Sequence, residues 1–370
     1  MNKTSELEKI LNEYFAWNKA RMNCFSKMLL SLIAVKTVNL SEIAVGFSSK
    51  AQKESRYRRL QRFFSDFEID KKKLACFIFS LFFINNKKLY LTVDRTNWYW
   101  GKRKINILIL AIAYEGLAIP IFWKLLEKAG NATGKEHIEI VERFVKIFGR
   151  SRIAGVLADR EFANSIFFGW LNDNKIPFYI RIKERTQVRF FCEKTFAVKK
   201  IFKKINPKEQ TYHIQPLKIH GQTLYAVGSR SESGELLIVA TNQKPQNAVS
   251  IYLRRWEIES LFQSLKTRGF CFENTHITNS KKIWKLMALV TIGFCWAHKI
   301  GEWRAIKKPI IFKKFSTSIR PQYSYFRYGL DFLREIILHM QTKYKQFRQC
   351  LEQLILPNNL DILAFQEDIL

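Results

Sequence analysis

Lys88-Leu-Tyr-Leu-Thr-Val-Asp94 is the stretch on which the fold of this chain turns. It is rich in aliphatic, aromatic and β-branched residues, holds no Gly or Pro, and ends on a carboxylate. That composition suits a pleated, buried strand. Immediately downstream, Ile105 to Tyr114 is a nearly continuous apolar run, Glu115-Gly116 supplies a turn, and Leu117 to Trp123 follows. Three strands with short connections predict an antiparallel meander.

Further out, the period switches between two and 3.6. Gly134 to Phe148 reads as a helix with Ile138, Val141, Phe144, Val145 and Phe148 on its inner face. Ile153 to Leu157 reads as a short strand running into Ala158-Asp159-Arg-Glu-Phe162, then a helix to Leu171 and a strand from Ile176 to Ile182. The order βββαβαβ, closed by a last helix carrying Glu259, predicts an α/β fold with a ribonuclease-H-like mixed sheet. Its central strand carries Asp94, and Asp159 ends the neighbouring parallel strand. The last helix is delayed by residues 184–245, whose alternating segments and turn signals at His220-Gly-Gln and Ser231-Glu-Ser-Gly234 predict a β-rich insertion. Lys199, Lys200, Lys203 and Lys204 within it fit a solvated helix face as well as a DNA contact.

Upstream, residues 1–70 read as a small helical domain. Met22 to Val35 is a core helix, Asn39 with Glu42 has capping-box spacing for a short helix through Ala44, and a third helix runs from about Lys50 to Phe67. On that helix Tyr57, Leu60, Phe64 and Phe67 form a stripe opposite Arg58, Arg59 and Arg62. Three short helices with an Arg-rich third suit a helix-turn-helix that enters a DNA groove, although basic helical faces are common. The expected organisation is therefore 1–70 helical and DNA-binding, 71–300 catalytic with the insertion, and 301–370 helical. In that last part Tyr325 to Leu356 is a helix suited either to dimerisation or to packing on its own chain.

The delayed helix carries the chemistry. Ile251-Tyr-Leu-Arg-Arg-Trp-Glu-Ile-Glu-Ser-Leu-Phe-Gln-Ser-Leu-Lys266 contains no helix breaker. At about 100° per residue, Tyr252, Arg255, Glu259 and Lys266 fall within an arc of roughly 60°. One acid, two cations and a phenol on one arc suit a phosphodiester, and an amphipathic helix with a mixed-charge rim has the same spacing. Asp94, Asp159 and Glu259 together form an all-oxygen donor set matched to Mg²⁺, which binds carboxylates plus substrate phosphate. Two such ions can activate an attacking water or hydroxyl and stabilise the leaving oxygen of an in-line displacement.

Composition agrees with a polyanionic partner. There are 62 Lys and Arg against 32 Asp and Glu, a net charge of +30 over 370 residues, which favours nucleic acid and makes binding salt-dependent. Aromatics at 14% and hydrophobics at 47% exclude a disordered tail. The cysteines are dispersed without a C-x-x-C pair, the histidines are scattered, and Met1-Asn-Lys-Thr-Ser-Glu lacks a secretory apolar core. A zinc site is disfavoured and a reducing cytoplasm expected. The apolar runs Leu74–Ile84 and Leu286–Ala297 are shorter than the roughly 20 residues a bilayer needs, so buried helices and no membrane partner are expected.

The motif residues match Y-x-x-R-x-x-x-E-x-x-x-x-x-x-K, and in this the chain resembles the insertion-sequence-four family of DDE transposases of bacterial mobile elements. Val93-Asp94-Arg-Thr-Asn-Trp98 resembles that family's first-aspartate region, Leu157-Ala-Asp159-Arg-Glu-Phe162 the second, and Arg254-Arg-Trp-Glu-Ile-Glu-Ser-Leu-Phe262 the third. The resemblance spans about residues 40 to 300. It implies binding to terminal inverted repeats, homodimeric pairing of the ends in a synaptic complex, and cleavage with Mg²⁺, which Mn²⁺ can replace. Attack of a 3′-hydroxyl on double-stranded target DNA follows, so the protein would sit on the nucleoid when bound. Asp94, Asp159 and Glu259 would then be catalytic and metal-binding, with Tyr252, Arg255 and Lys266 on DNA phosphates. Relatives that form a donor-end hairpin stack a flipped base on a Trp in the insertion. Residues 176–245 contain no Trp, leaving Phe190, Phe191, Tyr212 or Tyr225 for that role. The same acids also suit a structure-selective nuclease, or a transposase-derived DNA-binding protein that no longer cuts.

Overall fold

The computed structural model describes residues 4–47, 49–85, 87–190, 195–314 and 319–355. The chain opens with α1 (Ser5–Phe15), α2 (Lys19–Val35), α3 (Leu40–Gly46), α4 (Lys53–Asp66) and α5 (Lys71–Phe82). Strands β1 (Leu89–Trp100), β2 (Arg103–Tyr114) and β3 (Leu117–Leu125) precede α6 (Gly134–Phe148), β4 (Ile153–Ala158), α7 (Ser165–Asp173) and β5 (Phe178–Ile182). Next come β6 (Gln187–Arg189), β7 (Phe196–Ala197), β8 (Gln210–Tyr212), β9 (Leu217–Ile219), β10 (Gln222–Arg230) and β11 (Leu236–Thr241). The motif helices are α8 (Ala248–Leu253) and α9 (Glu257–Leu265), followed by α10 (Ser280–Lys307), β12 (Phe312–Lys314), β13 (Ile319–Pro321), α11 (Tyr325–Leu338) and α12 (Tyr344–Glu352).

The chain divides into two compact units. One holds Met1–Ile84, Trp100–Arg103 and Phe262–Leu370, and the other Asn85–Tyr99 with Lys104–Leu261. The N- and C-terminal helices thus cluster together, where three consecutive domains were expected.

In the sheet unit the strand order is β3-β2-β1-β4-β5-β11-β10-β9-β6-β7, with β8 paired to β10. β1–β4 and β4–β5 are parallel, whereas β2–β3 and β5–β11 are antiparallel, giving a mixed sheet. The stretch expected as an insertion is continuous with the sheet, because β11 pairs alongside β5 from Ile238↔Ile182 to Thr241↔Tyr179. Its lysines at 199, 200, 203 and 204 are exposed, while Val198, Phe202 and Ile205 are buried. α6 starts on a full capping box between Thr133 and Glu136. Its buried face is His137, Ile140, Val141, Phe144 and Phe148, rotated slightly from the expected stripe so that Ile138 and Val145 sit at its margin.

In the helical unit α2 begins three residues earlier than expected, because the Asn18 side chain accepts the Arg21 N–H at 3.0 Å. Asn39 caps α3 through Ser41 N–H at 2.9 Å, but its own N–H donates to Thr37 Oγ1, so the Glu42 half of the expected box does not form. On α4 Phe63 joins Leu60 and Phe64 in the core, with Tyr57 and Phe67 only half-buried. α10 is long and apolar enough to cross a membrane by length and composition, yet its apolar surface is covered inside this unit, against α2, α5 and α11. The expected helix from Tyr325 breaks at His339, whose carbonyl accepts the N–H groups of Thr342 and Lys343. α12 then buries Phe347, Cys350 and Leu351, and Trp296 Nε1 donates to the Cys350 carbonyl at 2.8 Å. Of the two roles open for this region, packing on its own chain is the one seen; Leu356 lies outside the described residues.

Candidate active site

Asp94 lies within β1, and Asp159 is the first residue past β4. These strands are parallel neighbours with Val93 paired to Ala158, so the next residue on each is an aspartate; Asp159 lies just past the end of β4, whereas β1 runs on past Asp94 to Trp100 instead of ending at the acid as expected. Arg95 fixes the ends of both segments. Its Nε and Nη2 each lie 2.6 Å from a Glu161 oxygen, and its remaining donors reach Asn106 Oδ1, the Gly130 carbonyl and Asn131 Oδ1. A guanidinium engaged so fully acts as a rigid tie. Arg95→Ala leaves Glu161 without its partner and is expected to cost about 3 kcal/mol, read as a shift in the urea midpoint. An unchanged midpoint would show that the tie is dispensable.

The third acid arrives on the motif helices. Ala248, Val249 and Tyr252 of α8 pack with Leu157, Tyr179, Val227 and Val239, so β10 and β11 help build the floor under the motif. The helix is not continuous as expected, since Arg254–Trp256 form a 3-10 turn between α8 and α9. Arg254 and Glu257 staple this turn to the β2–β3 corner. Arg254 Nε meets Glu257 Oε1 at 3.2 Å, and Arg254 Nη2 donates to the Ala113 carbonyl. Burial raises the Glu257 pKa, while Arg254 and the Tyr114 and Gly116 backbone act to lower it.

Arg255 is the hub. Its Nη1 lies 3.2 Å from Asp94 Oδ2, its Nη2 2.8 Å from Glu259 Oε1, and its Nε donates to the Tyr252 hydroxyl at 3.2 Å. Burial alone would lower its pKa, but Tyr252, Glu259, Asp94 and Asp159 outweigh that and hold it raised. Burial pushes the Asp94 carboxyl up to about 6 despite the Arg95 N–H and the Arg255 charge, with Glu161 and Asp159 adding to the rise. Burial likewise pushes the Tyr252 phenol up to about 12, keeping it protonated.

The donor set suits a hard cation. Asp159 Oδ1 is buried without a hydrogen-bond partner, and Arg181 Nη1 reaches only to 4.0 Å from it. Such an orphaned carboxylate oxygen is costly unless a cation or donor meets it. Among the described residues no three of His, Cys, Asp and Glu converge closely enough to hold an ion as they stand, and Arg255 occupies the position between Asp94 and Glu259.

The other expected site residues fall differently. Tyr252 is 1% exposed, so in this structure it orients Arg255 and offers no surface to a phosphate. That corrects its expected role; the sequence places it on the motif arc but not below the surface. Lys266 belongs to the helical unit, where its Nζ pairs with Glu273 at 2.7 Å. Arg58 and Arg62 are exposed, but Arg59 is tied to the Ala20 carbonyl and Asn23 Oδ1. Phe190 packs on Phe196 and His213, Tyr225 is half-buried, Tyr212 is exposed, and Phe191 lies outside the described residues. Trp256, within the motif, is 60% exposed with Leu253 beside it. The Arg95–Glu161 tie and the Arg254–Glu257 staple were missed, although both carry a sequence signal in charged residues set close to the acids.

A family model described as Transposase DDE domain matches residues 86–296, more than half of the chain and a span containing all three acids. The chain belongs to this transposase family. A comparison with curated proteins gives no match. Among solved structures it is similar to the piggyBac transposase in a cryo-EM synaptic complex with hairpin DNA, at 12% identity and a TM-score of 0.42, over 98% of this chain and 84% of that one.

Proposed function

We propose that this chain is the transposase of an insertion sequence, of the insertion-sequence-four type, built on a ribonuclease-H-like sheet. It binds the element's terminal inverted repeats as a homodimer, cleaves DNA there with Mg²⁺, and joins the freed 3′-hydroxyl ends to target DNA. The observation that carries this reading is one guanidinium joining Asp94 to Glu259, beside a buried Asp159 oxygen with no hydrogen-bond partner. Asp94, Asp159 and Glu259 would hold Mg²⁺ or Mn²⁺. The chemistry such an ion supplies when bound is activation of an attacking hydroxyl or water and stabilisation of the leaving oxygen.

The chain's own residues do the rest. Arg255 serves as the resident cation between two carboxylates. With Asp94 and Glu259 engaged in holding the ion, the planar fork of Arg255 would be free to clasp a backbone phosphate, and Tyr252 would keep it aimed. Trp256 presents a ring on which a base can stack, a role the sequence placed in the insertion. Exposed Arg58 and Arg62 on α4 supply phosphate contacts from the helical unit.

Cation binding requires ionised Asp94. With its carboxyl pushed up to about 6, Mg²⁺ affinity should hold steady above that pH and fall about tenfold per unit below it. Calorimetric titration across pH reads this directly, and a flat profile from about pH 5 to 8 would exclude Asp94 as a ligand. The function itself is tested by supplying purified protein with Mg²⁺, DNA carrying the element's ends, and a target plasmid. Joined products support transposition. Cutting without joining would make the chain a nuclease, and binding without cutting an inactive descendant.

A further inference from the structure

The β12–β13 hairpin lies beyond the family match and outside every role assigned above. Among the described residues it pairs only with itself, through Phe312↔Pro321, Lys313↔Arg320 and Lys314↔Ile319, and all six strand residues are exposed. Gln322 N–H extends the ladder by donating to the Ile311 carbonyl at 2.9 Å. An isolated two-stranded ribbon is marginally stable in water and gains from a surface to lie on.

Its chemistry says which surface. Phe312 is 65% and Ile319 71% exposed, and both share one face with Lys314 and Pro321, while the other face carries the cations Lys313 and Arg320. From Glu302 to Asp331 the sequence carries no acid, while Lys307, Lys308, Lys313, Lys314 and Arg320 crowd the hairpin and its approach. Neither Lys313 nor Lys314 has an ion-pair partner among the described residues. A second copy docked across a two-fold axis would set these cations against themselves, so self-association is disfavoured. A duplex offers a dense row of phosphates and a major groove wide enough for a two-stranded ribbon.

We propose that the β12–β13 hairpin is a DNA-contacting ribbon, with Lys313 and Lys314 on backbone phosphates and Phe312 and Ile319 against the groove wall. This rests on the transposase reading, and adds an interface separate from the motif helices and from α4. Its test is the salt dependence of binding to a random-sequence duplex. Two lost phosphate contacts should make the slope of log K against log salt shallower by about 1.8 in Lys313→Ala/Lys314→Ala. The paired surface lysines in Lys146→Ala/Lys208→Ala, matched in charge change, should leave the slope unaltered. Phe312→Ala should weaken affinity at constant slope, and no variant should shift the thermal midpoint. A hairpin double variant with the wild-type slope overturns the ribbon, as does one that alters only self-association or binding to anionic vesicles. Wild-type protein that binds no duplex at any salt instead removes the transposase reading beneath it.

Discussion

Asp94→Ala should lower DNA cleavage about a thousand-fold or more while leaving binding to the element's ends within about threefold. Asp94 stands next to Asp159 across a parallel pair of strands and touches the guanidinium that holds Glu259. In the proposed metal site, losing this carboxylate should remove several kcal/mol of transition-state stabilisation, at about 1.4 kcal/mol per decade. On the proposed reading, binding to the ends draws on surface cations elsewhere and should survive. Stability should move the other way. Because the Asp94 carboxyl is pushed up to about 6, its ionised form is disfavoured in the folded protein, a cost that sets in as pH rises from about 4 and is complete above about 6. Asp94→Asn removes that cost, so its thermal midpoint at neutral pH should equal or exceed that of the parent. A dead variant that is also strongly destabilised would mean that cleavage was lost by unfolding.

Gly329→Ala should be among the most damaging small substitutions in the helical unit. A Cβ there would fall 1.8 Å from the Ala297 carbonyl oxygen and 2.5 Å from the Gly301 nitrogen. The reciprocal Cβ on Gly301 would lie 1.9 Å from the Tyr325 carbonyl oxygen. α10 and α11 therefore touch backbone to backbone, and no side-chain rotation can relieve an added methyl. The helices must separate, opening the contacts of Phe326, Leu330 and Leu333, so the loss should exceed the ~1–3 kcal/mol of ordinary overpacking. Urea unfolding measures it, with Gly130→Ala as the control because nothing lies within 4 Å of its added Cβ. Equal midpoints for Gly329→Ala and the parent would contradict this packing.

Much of the scaffold was legible because it rests on local rules. The apolar runs at 89–93 and 105–114 and the helical period of 134–148 place the start of β1, and β2 and α6, near their observed positions, while β1 runs on past Asp94 to Trp100. Asp94 and Asp159 are predictable as neighbours because the two apolar runs that precede them read as parallel strands of one sheet, and Val93 does pair with Ala158. Partnerships between distant residues were less legible. Nothing local says that β11 pairs with β5, since antiparallel register is set by which faces are buried, or that Tyr252 lies under the motif rather than on it. The break at His339 carries no Gly or Pro and follows from the docking of Phe347 and Leu351. The arc and the family resemblance point Arg255 at phosphate; its two carboxylate partners are visible only in three dimensions.

The most direct measurement of the central claim is Mn²⁺ binding, followed by electron paramagnetic resonance, in the parent protein and in Asp94→Ala, Asp159→Ala and Glu259→Ala. The parent should bind Mn²⁺ in competition with Mg²⁺, and each substitution should weaken that binding at least about tenfold with the fold intact. Undiminished binding in all three variants would contradict a metal site built from these acids.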